Sequence, residues 1–309
     1  MSAAVDLGRV LTAMVTPFHP DGSLDVGRAE ELANLLVENG NDGVVVGGTT
    51  GESPTLNHDE KLELYRAVRG AIPNAVVIMG AGSYDTAASI ELARDAQNLD
   101  ADCVLAVVPY YNKPPQRSLL AHFKAIAGAV DVPVMLYNVP SRTVANMNPE
   151  TTIELSHVSN IVALKEASAD LTQFATEAAG MAPGFRIYSG EDSLTLPMLS
   201  IGAYGVVSVA GHFAGKGITQ MVEAYLEGKV EEATQMHYRL LPIFKQVFCT
   251  ASPIPTKTLL RSIGIDVGGT RLPLDMAEIT DVQTQSLAAV FQELGDLALT
   301  LPVPASTVP

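Results

Sequence analysis

The segment "IVALKEAS", residues 161–168, runs four apolar residues straight into Lys165 and Glu166. A continuously apolar run of this kind suits a strand covered on both faces, and such strands belong to parallel sheets. An ammonium group leaves water at high cost unless it is paired or discharged. The lysine that closes this strand therefore needs a reason. One is an ion pair with Glu166 or another carboxylate, and the other is a reactive amine.

Working outward, the same kind of run recurs along the chain. It appears as "RVLTAMVTP" from Arg9, "GVVVGG" from Gly43, "AVVIMGAG" from Ala75 and "DCVLAVVP" from Asp102. It continues as "PVMLYNVP" from Pro133, "RIYSG" from Arg186 and "GVVSVAG" from Gly205. Helical patterns with recognisable ends fill the gaps. In "AEELANLLVENG", Leu32, Ala33, Leu35 and Leu36 form an apolar stripe and Gly40 supplies the stop. In "NHDEKLELYRAVRG", Asn57 caps while Glu60 sits at the third position of a capping box. "NPETTIELSH" places Asn148 at the cap and Pro149 at the first helical position.

Strand and helix alternating in this way predict βαβ units with parallel strands. Eight such units point to a closed (β/α)8 TIM barrel, an α/β fold, with an open doubly wound sheet as the competitor. The dinucleotide fingerprint that would favour the open sheet is missing. "GGTTGES" (47–53) has neither the G-x-G-x-x-G spacing nor a GK[ST] ending. After Gly215 the alternation gives way to four helical patterns starting near Ile218, Val230, Ile254 and Asp281. The expected division is a barrel over 1–215, an appended C-terminal helical region packed on it over 216–300, and a loose tail over 301–309.

Composition narrows the function classes. The 309-residue chain is 47% hydrophobic and 17% charged, with a formal net charge of −15, so a large core is available and the surface is acidic. An acidic surface repels nucleic acid and anionic lipid, and neither partner is expected. Cys103 and Cys249 lack CxxC or Cys/His company, and the six histidines form no ligand-spaced cluster, so neither a metal site nor a cofactor is signalled. Cys103, inside an apolar run, reads as a core residue. No apolar run reaches the ~18 residues of a membrane span, and a soluble cytoplasmic protein is expected.

Barrel enzymes gather their reacting groups at the C-terminal ends of the strands. Those ends carry Thr49 and Thr50, then Tyr110 and Tyr111, then Tyr137 and Arg142, then Lys165, and then Ser189 with Gly190. A free lysine amine is neutral in about one molecule in 2,500 at pH 7, a handicap of about 4.6 kcal/mol. Apolar walls remove part of that handicap and make an amine nucleophilic toward a ketone or aldehyde. The resulting imine is an electron sink from which an enamine forms, and the enamine attacks a second carbonyl. A phenol and a threonine hydroxyl can relay the protons that imine formation requires, and Tyr137 lies one strand from Lys165. Other readings stay open. "TTGES" fits a tight turn as well as an amide cradle for a carboxylate. "YYNKPP" fits a surface loop or a subunit contact, and Arg142 fits a loop salt bridge as well as a substrate clamp.

"VGGTTGESPTLNHDEK", "VVPYYNKPPQ", "MLYNVPSRT", "VALKEASADL", "YSGEDSLTLP" and "GVVSV" together resemble the motifs of the 4-hydroxy-tetrahydrodipicolinate synthase family, long called dihydrodipicolinate synthase. The resemblance runs in order from Val10 to Leu274. It implies a homotetramer of (β/α)8 barrels, a lyase of lysine and diaminopimelate biosynthesis. The implied reaction condenses pyruvate with L-aspartate 4-semialdehyde through a lysine Schiff base. It further implies Lys165 as the Schiff-base lysine and Tyr137 as proton donor and acceptor. Thr49 and Tyr111 would complete the relay, the latter lent by a neighbouring subunit. Thr50, Gly190 and Val207 would line the pyruvate pocket, and Arg142 would bind the carboxylate of the semialdehyde.

Two departures accompany the resemblance. Ser252–Pro253 stands where many members have Asn-Pro. In the feedback pocket for L-lysine, Ser53, His58 and Tyr110 match. Lys61, Tyr84 and Ala88 replace a histidine, an asparagine and a glutamate. Losing a carboxylate and gaining a cation both disfavour a cationic effector, so weak or absent lysine inhibition is expected.

Another pyruvate-dependent class I aldolase, such as an N-acetylneuraminate lyase or a keto-deoxy-sugar aldolase, would share the lysine and the tyrosine. Arg142 separates the two, since a carboxylate calls for it and a sugar chain does not. A non-catalytic metabolite-binding barrel is the third reading, and it predicts a degraded site.

Overall fold

A computed structural model describes residues 5–301. Eight parallel strands close in chain order: β1 (Val10–Ala13), β2 (Gly43–Val46), β3 (Val76–Gly80), β4 (Cys103–Val107), β5 (Val134–Asn138), β6 (Ile161–Glu166), β7 (Arg186–Ser189) and β8 (Gly205–Ser208). β8 pairs with β1 through Leu11 and Val207, so the expected TIM barrel forms and the open sheet does not. Every apolar run singled out in the sequence contains one of the strands.

The two-residue period of a strand sorts the side chains into two layers. Leu11, Val45, Ile78, Met135, Ala163 and Val207 fill the barrel interior together with Cys103. Val10, Val44, Val77, Val104, Leu136 and Leu164 face outward and pack beneath the helices. Both layers are sealed, which is why the strands read as unbroken apolar runs.

The helices that cover the barrel are α1 (Val26–Glu38), α2 (His58–Ala71), α3 (Thr86–Asn98), α4 (Gln116–Ala127), α5 (Pro140–Thr143), α6 (Pro149–Leu155), α7 (Leu171–Gly180), α8 (Thr195–Leu199) and α9 (Gly211–Leu226). Gly40, just past α1, takes φ 90°, a left-handed conformation that glycine reaches without a side-chain clash. Asn57 and Glu60 form the expected reciprocal capping box on α2. Asn148 precedes α6 as expected, but its side chain makes no capping bond. Its amide instead donates to Gln116 Oε1 at 3.0 Å.

Beyond β8 the chain is helical, with α10 (Val230–Gln246), α11 (Ile254–Ser262) and α12 (Asp281–Glu293) following α9. Residue 215, where the alternation was expected to end, lies inside α9, which kinks at Ala214 and packs on β1 and α10. The helical region is fastened to the barrel by backbone bonds as well. The Leu299 amide donates to Phe213 O at 2.6 Å, and the Thr300 amide to Asn39 Oδ1 at 2.6 Å. Of the expected tail, residues 302–309 lie outside the described residues. Among the described residues no helix is long and apolar enough to cross a membrane, and both cysteines are free thiols.

Candidate active site

The last residues of β5 and β6 build the centre of the site. Tyr137 and Lys165 are register partners on adjacent strands. By the strand period each continues the inward row of its strand, Tyr137 after Met135 and Lys165 after Ala163. Lys165 is 5% exposed and Tyr137 6%. The Lys165 Nζ stands 4.4 Å from the centroid of the Tyr137 ring, within cation–π range. Pairing with Glu166 does not occur. Glu166 points to the opposite face of β6, where it accepts hydrogen bonds from Asn138 Nδ2 at 3.0 Å and the Ser168 amide at 2.6 Å. Adjacent residues of a strand face opposite sides, so the reading that paired them contradicts the strand that carries both.

The loop after β2 forms a second wall. Gly47 takes φ 63°, and a Cβ on neighbouring Gly80 would meet the Gly47 carbonyl at 2.3 Å. The turn can approach β3 only because both positions are glycine. The loop closes on itself through Ser53 N donating to Gly48 O at 3.2 Å and Glu52 N to Thr49 O at 3.1 Å. Thr16 Oγ1 ties it to β1 by donating to Gly51 O at 2.7 Å. Thr50 is buried and Thr49 half-buried. The amides of Thr49, Thr50 and Gly51 donate to no protein group among the described residues. Three free amides in a Gly/Thr turn are a ready receptor for a carboxylate.

Gly190 and Val207 complete the pocket side nearest Lys165. A Cβ on Gly190 would lie 3.2 Å from Lys165 Cε and 2.7 Å from Ala167 Cβ, so any larger residue would crowd the amine. Val207 is buried in the interior layer. Arg142 sits exposed on α5, one turn beyond β5, and its guanidinium makes no salt bridge or hydrogen bond among the described residues. Tyr111 is not gathered with the others within one chain. It is 91% exposed, in a left-handed backbone conformation with φ 70°.

The positions matched to an effector pocket lie apart from this centre, on the surface near α2 and α3. Tyr110 packs edge-on against Tyr84, with ring centroids 5.2 Å apart, and burial raises its phenol. His58 pairs with Asp95 at 3.0 Å, Ser53 opens the short turn after the β2 loop, and Ala88 is exposed.

Two buried ionic arrangements next to the site escaped the sequence. Lys257, on α11, pairs with Glu52 at 2.7 Å, with both side chains sealed from solvent. Lys257 also donates to Gly269 O at 2.6 Å, and the Arg271 amide donates to Glu52 Oε2 at 2.9 Å. Burial holds Lys257 down to about 8, against the opposing pull of Glu52. Glu52 is the residue after the free amides, so the helical region grips the β2 loop from below. A signal did exist: Lys257 falls between Ile254 and Leu260 at the three-residue spacing of a buried helix stripe. The second arrangement closes the barrel seam. His212 Nε2 accepts from the Val15 amide at 3.1 Å and Nδ1 donates to Val209 O at 2.8 Å, while burial lowers the ring to about 4. Asp192, raised by burial to about 6, accepts from the amides of Val209 and Ala210 at 3.1 and 2.9 Å and from the Ser208 hydroxyl.

Comparison with known proteins agrees with this geometry. The model of the dihydrodipicolinate synthetase family matches residues 6–294. A curated 4-hydroxy-tetrahydrodipicolinate synthase of Moorella thermoacetica is 50% identical over 290 residues, 93% of this chain and 98% of that one. One of Desulforamulus reducens is 51% identical over 284 residues, 91% and 96% of the two chains. A crystal structure of DHDPS from Cyanidioschyzon merolae with lysine bound superposes with a TM-score of 0.91 at 49% identity, covering 94% of this chain and 98% of that one. With the family model spanning nearly all of the barrel and the helical region, this chain belongs to the dihydrodipicolinate synthetase family.

Proposed function

We propose that this protein is a 4-hydroxy-tetrahydrodipicolinate synthase, condensing pyruvate with L-aspartate 4-semialdehyde, and that Lys165 carries the reaction. The observation behind this reading is a buried amine set against the Tyr137 ring, with no carboxylate bonded to it.

Pyruvate docks with its carboxylate on the free amides around Thr50, which brings its ketone toward Lys165. Gly190 and Val207 leave room for its methyl group. The amine adds to the ketone carbon, and the carbinolamine loses water to give the imine. Both steps move protons, and Tyr137 and Thr49 line the route. Loss of a methyl proton gives the enamine, whose terminal carbon attacks the aldehyde carbon of the semialdehyde to form the new C–C bond. The amine of the second substrate then adds to the imine carbon and displaces Lys165, which closes the ring and regenerates the enzyme. Arg142, unpaired at the rim, is the clamp for the carboxylate of the semialdehyde.

Tyr111 joins the relay from a neighbouring copy in a homotetramer. Its exposure and left-handed backbone in the single chain support a residue built to reach outward. We assign the enzyme to the cytoplasm, in keeping with two unpaired thiols.

The test is turnover in a coupled assay. Pyruvate with L-aspartate 4-semialdehyde should give product, and Arg142→Ala should raise the KM for the semialdehyde more than that for pyruvate. Cleavage of N-acetylneuraminate or a keto-deoxy sugar, with no turnover of the semialdehyde, would assign the site to the other aldolases instead.

A further inference from the structure

On the outer side of the sheet, directly behind the Tyr137–Lys165 pair, lies a second cross-strand pair. Asn138 and Glu166 are register partners one residue further along the same strands, and both are buried. Asn138 Nδ2 donates to Glu166 Oε2 at 3.0 Å and to Oε1 at 3.3 Å. The same Nδ2 donates to Asn146 Oδ1 at 2.8 Å, and Asn138 Oδ1 accepts from the Met147 amide at 3.0 Å. Asn146 Nδ2 in turn donates to Gln173 Oε1 at 2.8 Å. One connected set of bonds thus joins β5, β6, α7 and the segment that follows Arg142.

No cation balances this set. Its other ionisable member is Glu177 on α7, which is fully buried and accepts from Thr152 Oγ1 of α6 at 3.2 Å. Its second oxygen receives no hydrogen bond from any other group, and Glu166 is its neighbour. Two carboxyls in contact, sealed from water, are stable when one keeps a proton. Burial, reinforced by the charge on Glu166, pushes Glu177 up to about 9. Glu177 is therefore the protonated member, and Glu166 presents one negative charge to Asn138.

We propose that Glu166, acting through Asn138, is a positioning residue that sets the relative height of Lys165 and Tyr137. The reasoning is geometric. The two reacting side chains leave their strands one residue before the bonded pair, so a slip or splay between the strand ends would move the amine and the phenol apart. Displacements near 1 Å at a reacting centre cost on the order of a hundredfold in rate. Cross-strand side-chain bonds are the local device that resists such a slip.

The proposal rests on Lys165 forming the imine, and borohydride trapping of pyruvate on the unaltered enzyme tests that premise separately. The proposal itself is tested with Glu166→Gln, Asn138→Asp and the double exchange, each checked for folding by circular dichroism. Glu166→Gln should lower kcat by about tenfold or more and slow borohydride trapping, with the KM for pyruvate held within about twofold. Asn138→Asp alone should lose activity because two carboxylates then face each other. In the double variant the donor sits on residue 166 and the acceptor on residue 138, so activity should recover above either single variant. A folded Glu166→Gln enzyme with unchanged kcat overturns the proposal. So does a double variant that is unfolded or no more active than its parents. If both single variants fail to fold, the double alone decides: a folded, active double supports the proposal.

Discussion

Glu52 and Lys257, the one in the loop after β2 and the other on α11, form an ion pair at 2.7 Å with neither side chain in contact with solvent. Glu52 holds a left-handed conformation, φ 56°, next to the free amides of Thr50 and Gly51. The helical region therefore serves the active site as well as the core. Lys257→Met leaves a buried carboxylate without its cation and should destabilise the protein by about 3–5 kcal/mol. Adding Glu52→Gln should restore much of that loss. Urea denaturation of the three variants measures both effects, and the KM for pyruvate should rise in Lys257→Met as the amide loop loosens.

Gly190 sets the clearance around the amine. Alanine there places a methyl group 3.2 Å from Lys165 Cε and 2.7 Å from Ala167 Cβ. Overpacking of this kind costs about 1–3 kcal/mol. Here the cheapest relief is to move the lysine. Gly190→Ala should therefore lower kcat by about tenfold or more while its urea midpoint falls modestly. An enzyme of ordinary activity would show that the amine does not need this space.

The histidine at the barrel seam gives a pH dependence of defined sign. Burial lowers His212 from the ordinary value near 6.5 to about 4, so its neutral form is the one that accepts from Val15. A depressed group contributes stability above its unfolded pKa and loses it as pH falls toward the folded value. Between pH 7 and 5 that contribution should fall by about 2 kcal/mol. Asp192 acts oppositely, because its raised value favours the folded state below pH 6. The difference between wild type and His212→Gln isolates the histidine. The deficit of the variant at pH 7 should shrink by about 2 kcal/mol at pH 5 in denaturation experiments.

The effector positions predict weak feedback. The relative from Cyanidioschyzon merolae is described with lysine bound. Here Ala88 is an exposed methyl where a carboxylate would hold the ammonium of the effector, and Lys61 adds a cation whose ionised form burial already disfavours. Half-inhibition by L-lysine should require more than about a millimolar, the affinity equivalent of ~4 kcal/mol. Inhibition at tens of micromolar in the coupled assay would contradict this.

The barrel was legible because a parallel strand sealed on both faces has to be apolar at every position, and this chain spells that out eight times. Lys165 was legible for the same reason, as a charge at the end of such a run. Glu166 was misleading because neighbours in sequence are opposed in a strand, and only the pairing of β5 with β6 reveals its partner in Asn138. Lys257 stayed hidden because an amphipathic helix tolerates a lysine on any face until the tertiary fold supplies the partner, and Glu52 comes from the far end of the chain. The outward reach of Tyr111 depends on a backbone conformation that "YYNKPP" does not announce.

The most direct measurement is borohydride reduction of the enzyme with pyruvate, followed by peptide mapping. A reduced pyruvate adduct on Lys165, absent without pyruvate and absent in Lys165→Ala, is the predicted result. An adduct on Lys257 or any other lysine, or no adduct in an enzyme that still turns over, would contradict the account.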